Sequence, residues 1–260
     1  MQKTVFIVGR QRSGTTVLRE LFMKYGAFNA DEAFHGEIER PNRFYGFLAE
    51  RVAQEPRLVN PAHHGWLFRE YLDGLHGKAG DNPVVIDLKY FALNAIPPEG
   101  PLTGQVPWLV RFMEESRNPV FHVIRRNKLR MHISEEMAKK TGKWSARHQG
   151  DMPREKGKVS VDPVQTVMRI RTMIEDDRAA KLMFANVPNR REVIYEGMFR
   201  PDGGFAPVVM NGAGQVLGRT DLDPKPSNAR MNPEPVSELV ENYGALEAAV
   251  RAGGFGWMLD

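Results

Sequence analysis

Hydrophobic positions along this 260-residue chain fall into short dense runs separated by amphipathic stretches. Val5-Phe6-Ile7-Val8 is a continuous apolar run ending at Gly9. Thr15 to Tyr25 then places Val17, Leu18, Leu21 and Phe22 on one face at helical spacing before Gly26 stops it. Strand, glycine loop, helix is therefore the opening unit. Val84-Val85-Ile86-Asp87-Leu88 follows the turn signal Gly80-Asp81-Asn82-Pro83. Val120-Phe121-His122-Val123-Ile124 follows Asn118-Pro119 and runs into Arg125-Arg126 and a helix from about Leu129 to Lys140. Glu192-Val193-Ile194-Tyr195 is a fourth strand candidate, and a last helix is expected over Val236 to Ala252, ended by Gly253-Gly254. Short apolar runs alternating with helices predict an α/β fold, with a parallel sheet flanked by helices on both faces.

Other segments break this rhythm. Residues 34–76 mix Phe34, His35, Phe44, Tyr45, Phe47, His63, His64, Trp66, Phe68 and Tyr71 with charges. They read either as a helical and loop cap over an acceptor site or as helix core. Residues 145–163 are polar and interrupted by glycine and proline, the composition of a mobile loop. Residues 199–233 are turn-rich, with a hairpin expected about Asn211-Gly212. There is no internal repeat, and residues 1–260 read as a single domain.

Composition narrows the chemistry. Basic residues exceed acidic ones by 36 to 32 and the sequence pI is near 9.3, a mild excess that suits an anionic small ligand. No run of five or more basic residues occurs, so no nucleic-acid partner is expected. Without cysteine there is neither a disulfide framework nor a thiolate metal site. The first strand begins at Lys3 or Thr4, leaving no room for a signal peptide, and no run approaches a membrane span; a cytoplasmic protein is expected. A homo-oligomer is left open.

The loop carries the first candidate chemistry. Gly9 and Gly14 have the spacing of the nucleotide loop GxxxxGK[ST], but Thr15 stands where that motif has lysine, and a cation, Arg12, precedes the second glycine. Backbone N–H groups at a helix start attract phosphate, so Arg12, Ser13, Gly14, Thr15 and Thr16 are expected to cradle one. Arg12, approaching from the open side, suits a bridging or leaving oxygen. A single 5′-phosphate bearing a transferable group is the expected ligand. A second candidate is Arg126 at the end of the third strand with Ser134 eight residues on, a little over two helical turns, where both can share an anion.

Together these stretches resemble the cytosolic sulfotransferase fold family, which uses 3′-phosphoadenosine 5′-phosphosulfate (PAPS). Arg12-Ser13-Gly14-Thr15-Thr16 resembles its 5′-phosphosulfate loop [KR]-S-G-[ST]-[ST], and Arg126 with Ser134 resembles its 3′-phosphate motif. The resemblance implies a P-loop-like sheet, no obligatory metal, and 3′-phosphoadenosine 5′-phosphate as product. It is greatest toward bacterial carbohydrate-type members such as trehalose 2-sulfotransferase and the nodulation-factor sulfotransferases, in which a glutamate after the first helix serves as base. Glu32 falls near that place, with Asp31, His35 and Glu37 beside it. Lys89 in "VVIDLKYF" and Glu196 in "VIYEGMF" resemble a second-strand lysine and a strand-end Tyr-Glu pair, and Lys225 and Arg230 resemble a basic loop closing over the 3′-phosphate. Residue 128 departs from the pattern, being lysine where proline is common.

The expected reaction is in-line sulfuryl transfer to a hydroxyl of a carbohydrate or other small-molecule acceptor. Glu32 deprotonates that hydroxyl, His35 is the alternative base, and Arg12 stabilises the departing 5′-phosphate. His63 and His64, with no third ligand in view, read as surface or acceptor-pocket residues rather than a metal site. Two rivals are a P-loop kinase or NTPase, for which Asp87 is the candidate magnesium ligand, and a non-catalytic nucleotide-binding protein that has kept the loop and lost its base.

Overall fold

The computed structural model describes residues 3–98, 106–144, 157–227 and 231–259. Five strands, β1 (Thr4–Gly9), β2 (Phe28–Glu32), β3 (Val84–Lys89), β4 (Val120–Ile124) and β5 (Arg190–Ile194), form one parallel sheet in the order β2-β3-β1-β4-β5. β1, β3 and β4 are buried along their whole length, whereas the edge strands β2 and β5 are half-exposed. Central strands covered on both faces have no use for polar alternation, which is why these three were legible as apolar runs.

Alternate side chains of the sheet feed two cores. Phe6, Val8, Val84, Ile86 and Leu88 pack with Leu67 and Phe68 of α3 (His64–Ala79) and with Leu109, Phe112 and Met113 of α4 (Trp108–Ser116). On the other face, Val5, Ile7, Val85, Phe121 and Val123 meet Leu18, Leu21 and Phe22 of α1 (Thr15–Lys24) and Val209, Ala213 and Val216 of α7 (Pro207–Leu217). A third cluster joins α5 (Lys128–Thr141), α6 (Pro163–Met183), α8 (Val236–Leu239) and α9 (Tyr243–Ala252). Among the described residues no helix is long and apolar enough to cross a membrane.

One open alternative is resolved and two expectations change. Phe34, Phe44, Phe68 and Tyr71 are core: their rings pack on one another and α3 lies on the sheet, with α2 (Phe44–Gln54) alongside. The hairpin about Asn211-Gly212 is instead the middle of α7. A Cβ at Gly212 would lie 3.1 Å from the Phe121 ring, so this glycine serves close packing of helix on sheet rather than a turn. The last helix is broken: Val240 turns extended and forms a bridge with Val159, whose N–H donates to the Leu239 carbonyl at 2.8 Å. That bridge anchors the described end of the 145–163 segment; residues 145–156 lie outside the described residues.

Candidate functional site

A cleft of ≈ 630 Å³ opens where the sheet's strands end. Each strand delivers one element to it: the glycine loop from β1, Glu32 from β2, Lys89 from β3, Arg125 from just beyond β4 and Tyr195 from just beyond β5. Ligand sites of open parallel sheets lie at this carboxyl edge.

The loop closes on itself before α1 starts. The N–H and hydroxyl of buried Ser13 both donate to the Arg10 carbonyl, at 3.2 and 2.7 Å. Gly14 adopts φ +100°, and a Cβ there would lie 2.5 Å from the Tyr195 ring, so both its conformation and its space require glycine. Arg12, Gly14, Thr15 and Thr16 line the cleft; Ser13 is the loop's internal tie. Thr15 occupies the place of the nucleotide-loop lysine, and an ammonium reaches it from the next strand: Lys89 Nζ donates to Thr15 Oγ1 at 2.6 Å.

Lys89 is buried and belongs to an alternating chain of charges under the loop. It is 2.8 Å from both oxygens of Asp87 and 3.3 Å from Glu32 Oε1; Asp87 lies 3.6 Å from Arg19; Arg19 pairs with Asp31; and Asp31 pairs with Arg43 at 2.8 Å. Asp87 is thus a structural anion engaged by two cations. Asp31 sits at φ +55° in the irregular end of β2, and this kink brings Asp31 and Glu32 both to the cleft. His35 lines the cleft as well, its Nδ1 accepting from the Glu37 N–H at 3.2 Å. His63, His64 and Trp66 do not line it.

On the other side of the loop, Arg12 donates from Nε and Nη2 to Ser134 Oγ, at 2.9 and 2.7 Å, and from Nη1 to the Trp144 carbonyl. Burial and the neighbouring Arg125 push its pKa down from the ordinary arginine value. Asn232 Nδ2 also donates to Ser134, at 3.2 Å. Ser134 is therefore joined to Arg12 and lines the cleft, whereas Arg126, expected to share an anion with it, does not line the cleft. Glu196 accepts the N–H groups of Arg126 and Asn127, at 3.0 and 2.9 Å, and this fixes the turn so that Arg126 faces solvent. Arg125 is the residue that enters the cleft, its guanidinium 4.5 Å from the centre of the Tyr195 ring and its Nη1 donating to the Arg12 carbonyl at 3.2 Å. Arg130, one turn into α5, adds a further cation. Ile133, Trp144, Met231, Val236 and Leu239 give this half of the cleft an apolar lining that the β2 side lacks.

Lys225 lies elsewhere. Its carbonyl accepts from Lys24 Nζ at 3.3 Å, at the C-terminal end of α1, and ten helical residues put it about 15 Å from the loop at the other end. It is not a cleft residue, and Arg230 lies outside the described residues. The cues missed in the sequence were Arg125, adjacent to the arginine expected, and Trp144 and Tyr195 as aromatic groups lining the cleft.

No protein-family model and no curated protein matches the chain. Among solved structures it is similar to the sulfotransferase domain from the Synechococcus PCC 7002 olefin synthase, with 13% identity over 84% of this chain and 75% of that chain and a TM-score of 0.39.

Proposed function

We propose that the protein is a sulfotransferase that moves a sulfuryl group from PAPS to a hydroxyl of a carbohydrate or other small-molecule acceptor. The observation that carries this reading is the division of the cleft by the loop. One side holds Arg12, Arg125, Arg130 and Ser134 beside an apolar lining, and the other holds Glu32 and His35 beside Lys89. The first suits a nucleotide with phosphates on both its 5′ and 3′ oxygens, the base lying on the apolar wall; the second suits an acceptor hydroxyl and its base. An attacking acceptor oxygen forms the new S–O bond, the bridging S–O bond breaks, and its electron pair leaves on the 5′-phosphate. Arg12 and the loop N–H groups stabilise that charge, Lys89 adds a cation at Thr15, and Glu32 takes the hydroxyl proton, with His35 the alternative base. The products are a sulfate ester and 3′-phosphoadenosine 5′-phosphate. The 3′-phosphate is assigned to Arg125, Arg130 and Ser134, with Arg126 left at the rim.

Engagement of Asp87 by Lys89 and Arg19 weighs against the kinase reading, which needs that carboxylate for magnesium. Calorimetric titration in EDTA separates the two. A charge-assisted phosphate contact with its hydroxyl partner is worth about 2–4 kcal/mol, so 3′-phosphoadenosine 5′-phosphate should bind roughly 30- to 1,000-fold more tightly than AMP, ADP or ATP. Equal affinity for ATP, or binding only with magnesium, overturns the sulfotransferase reading. Turnover of PAPS with a panel of hydroxyl compounds, read as a mass gain of one sulfuryl group, separates an enzyme from a binding protein.

A further inference from the structure

Lys128 is a cation in an unfavourable place. It is the first residue of α5, where the positive end of the helix dipole repels an ammonium and where proline is a common occupant, and it is only 2% exposed. The helix does not require it, because Asn127 caps the end by accepting the Arg130 N–H at 2.9 Å. Two acceptors offset the burial: Asp177 of α6 and, at 2.5 Å, the carbonyl of Arg125. Burial still pushes the Lys128 pKa below the ordinary lysine value, with Asp177 opposing the shift. Asp177 in turn accepts from the Tyr90 hydroxyl at 3.3 Å, and that hydroxyl is 2.7 Å from Nε2 of buried His122. The adjacent Asp176 holds Arg10, the residue that opens the glycine loop, at 2.6 Å. Neighbouring carboxylates on α6 thus grip the two turns that form the nucleotide side of the cleft.

The Arg125 turn is fixed at successive peptide groups. Lys128 holds the carbonyl of Arg125, and Glu196 holds the N–H groups of Arg126 and Asn127. With its carbonyl held in this way, Arg125 lies over Tyr195 and reaches the Arg12 carbonyl.

We propose that Lys128 is a positioning residue for the nucleotide site, its buried ammonium holding the Arg125 carbonyl with Asp177 of α6 as counter-ion, so that the Arg125 guanidinium faces the cleft. The assignment of a 3′-phosphate to Arg125 rests on the function proposed above; the positioning itself does not.

Two readouts on the full chain test this. The first is calorimetry of 3′-phosphoadenosine 5′-phosphate and of AMP. Lys128→Met should weaken the bisphosphate at least tenfold and AMP less than twofold, and in an Arg125→Ala background the same change should alter neither by more than twofold. A lysine that merely holds α5 to α6 would weaken both ligands alike, and in both backgrounds. The second readout needs no ligand. In arginine-labelled protein the Nε–H resonance of Arg125, identified by its loss in Arg125→Ala, carries the ring-current shift of Tyr195, and Lys128→Met should abolish that shift. If Lys128→Met fails to fold, Lys128→Met with Asp177→Leu removes both buried charges and is put through the same two measurements. Retained preference for the bisphosphate, or an unmoved Arg125 resonance, overturns the proposal. Wild-type protein that shows no preference for the bisphosphate overturns the proposed function, and the positioning role is then decided by the resonance alone.

Discussion

Replacing Lys89 with methionine keeps most of the side chain's length and removes the charge that joins loop, β2 and β3. Asp87, whose side chain is fully buried, is then left with Arg19 at 3.6 Å, while Thr15 Oγ1 loses its donor and Glu32 its partner at 3.3 Å. Removing one member of a buried ion pair costs about 3–5 kcal/mol, because the other is left poorly compensated. The lost hydroxyl bond adds about 1 kcal/mol and the residual pull of Arg19 offsets a similar amount. The Glu32 contribution is small, since that side chain is a quarter exposed. The expected loss of about 3–5 kcal/mol is a large share of the roughly 5–15 kcal/mol that holds a domain folded. Urea unfolding followed by circular dichroism, at an m-value of about 3 kcal/mol/M, should show the midpoint falling by about 1–1.7 M with the slope unchanged. Lys89→Met combined with Asp87→Leu should recover more than half of the loss, since the uncompensated carboxylate is gone. A single variant within 1 kcal/mol of wild type, or a double variant no more stable than the single, refutes the account of Lys89 as the neutralising centre of the chain of charges.

Glu32→Gln keeps shape and removes basicity, so turnover should fall at least a hundredfold while the bisphosphate still binds; an active Glu32→Gln beside an inactive His35→Ala would exchange the two roles. Gly14→Ala forces a side chain into φ +100° and against Tyr195, and thermal unfolding should register a loss of about 1–3 kcal/mol; an unchanged Tm would refute the close approach. Burial, reinforced by Arg190, Lys181 and Lys128, holds His122 down at about 3, against 6.5 for the free side chain. Between those values the unfolded chain binds a proton that the folded chain does not. Its contribution is therefore fully present above pH 6.5 and lost as pH falls toward 3, by up to about 1.4 kcal/mol per pH unit. His122→Gln should flatten that acid limb in urea titrations at pH 7, 6 and 5, and an unaltered limb would contradict it.

The central sheet was readable because buried parallel strands are dominated by apolar residues, which here flank the buried Asp87, Lys89 and His122. β2 was not: "FNADE" is a half-exposed, kinked edge strand with almost no hydrophobic signature. α6 escaped notice for a different reason. Its buried stripe, Thr166, Ile170, Met173, Asp177 and Ala180, has regular helical spacing, but three of the five are polar or small, so a hydrophobicity pattern passes over it. In the site, the glycine loop and Glu32 were legible because they are local in sequence. The choice between Arg125 and Arg126 was not, because it is made by the Glu196 carboxylate seventy residues away.

The sheet order has a further consequence for what the cleft can hold. Strands lie about 4.8 Å apart, so four intervals separate Glu32 at the β2 edge from Tyr195 at the β5 edge by about 19 Å, with the glycine loop midway. The side chains close most of that span. The Tyr195 ring packs against Gly14, and Lys89 stands 3.3 Å from Glu32 and 2.6 Å from Thr15, so both edges of the sheet reach inward to the same loop. Whatever the cleft holds is therefore met from β2 and from β5 at one loop, and a shift of that loop is passed to both edges of the sheet together.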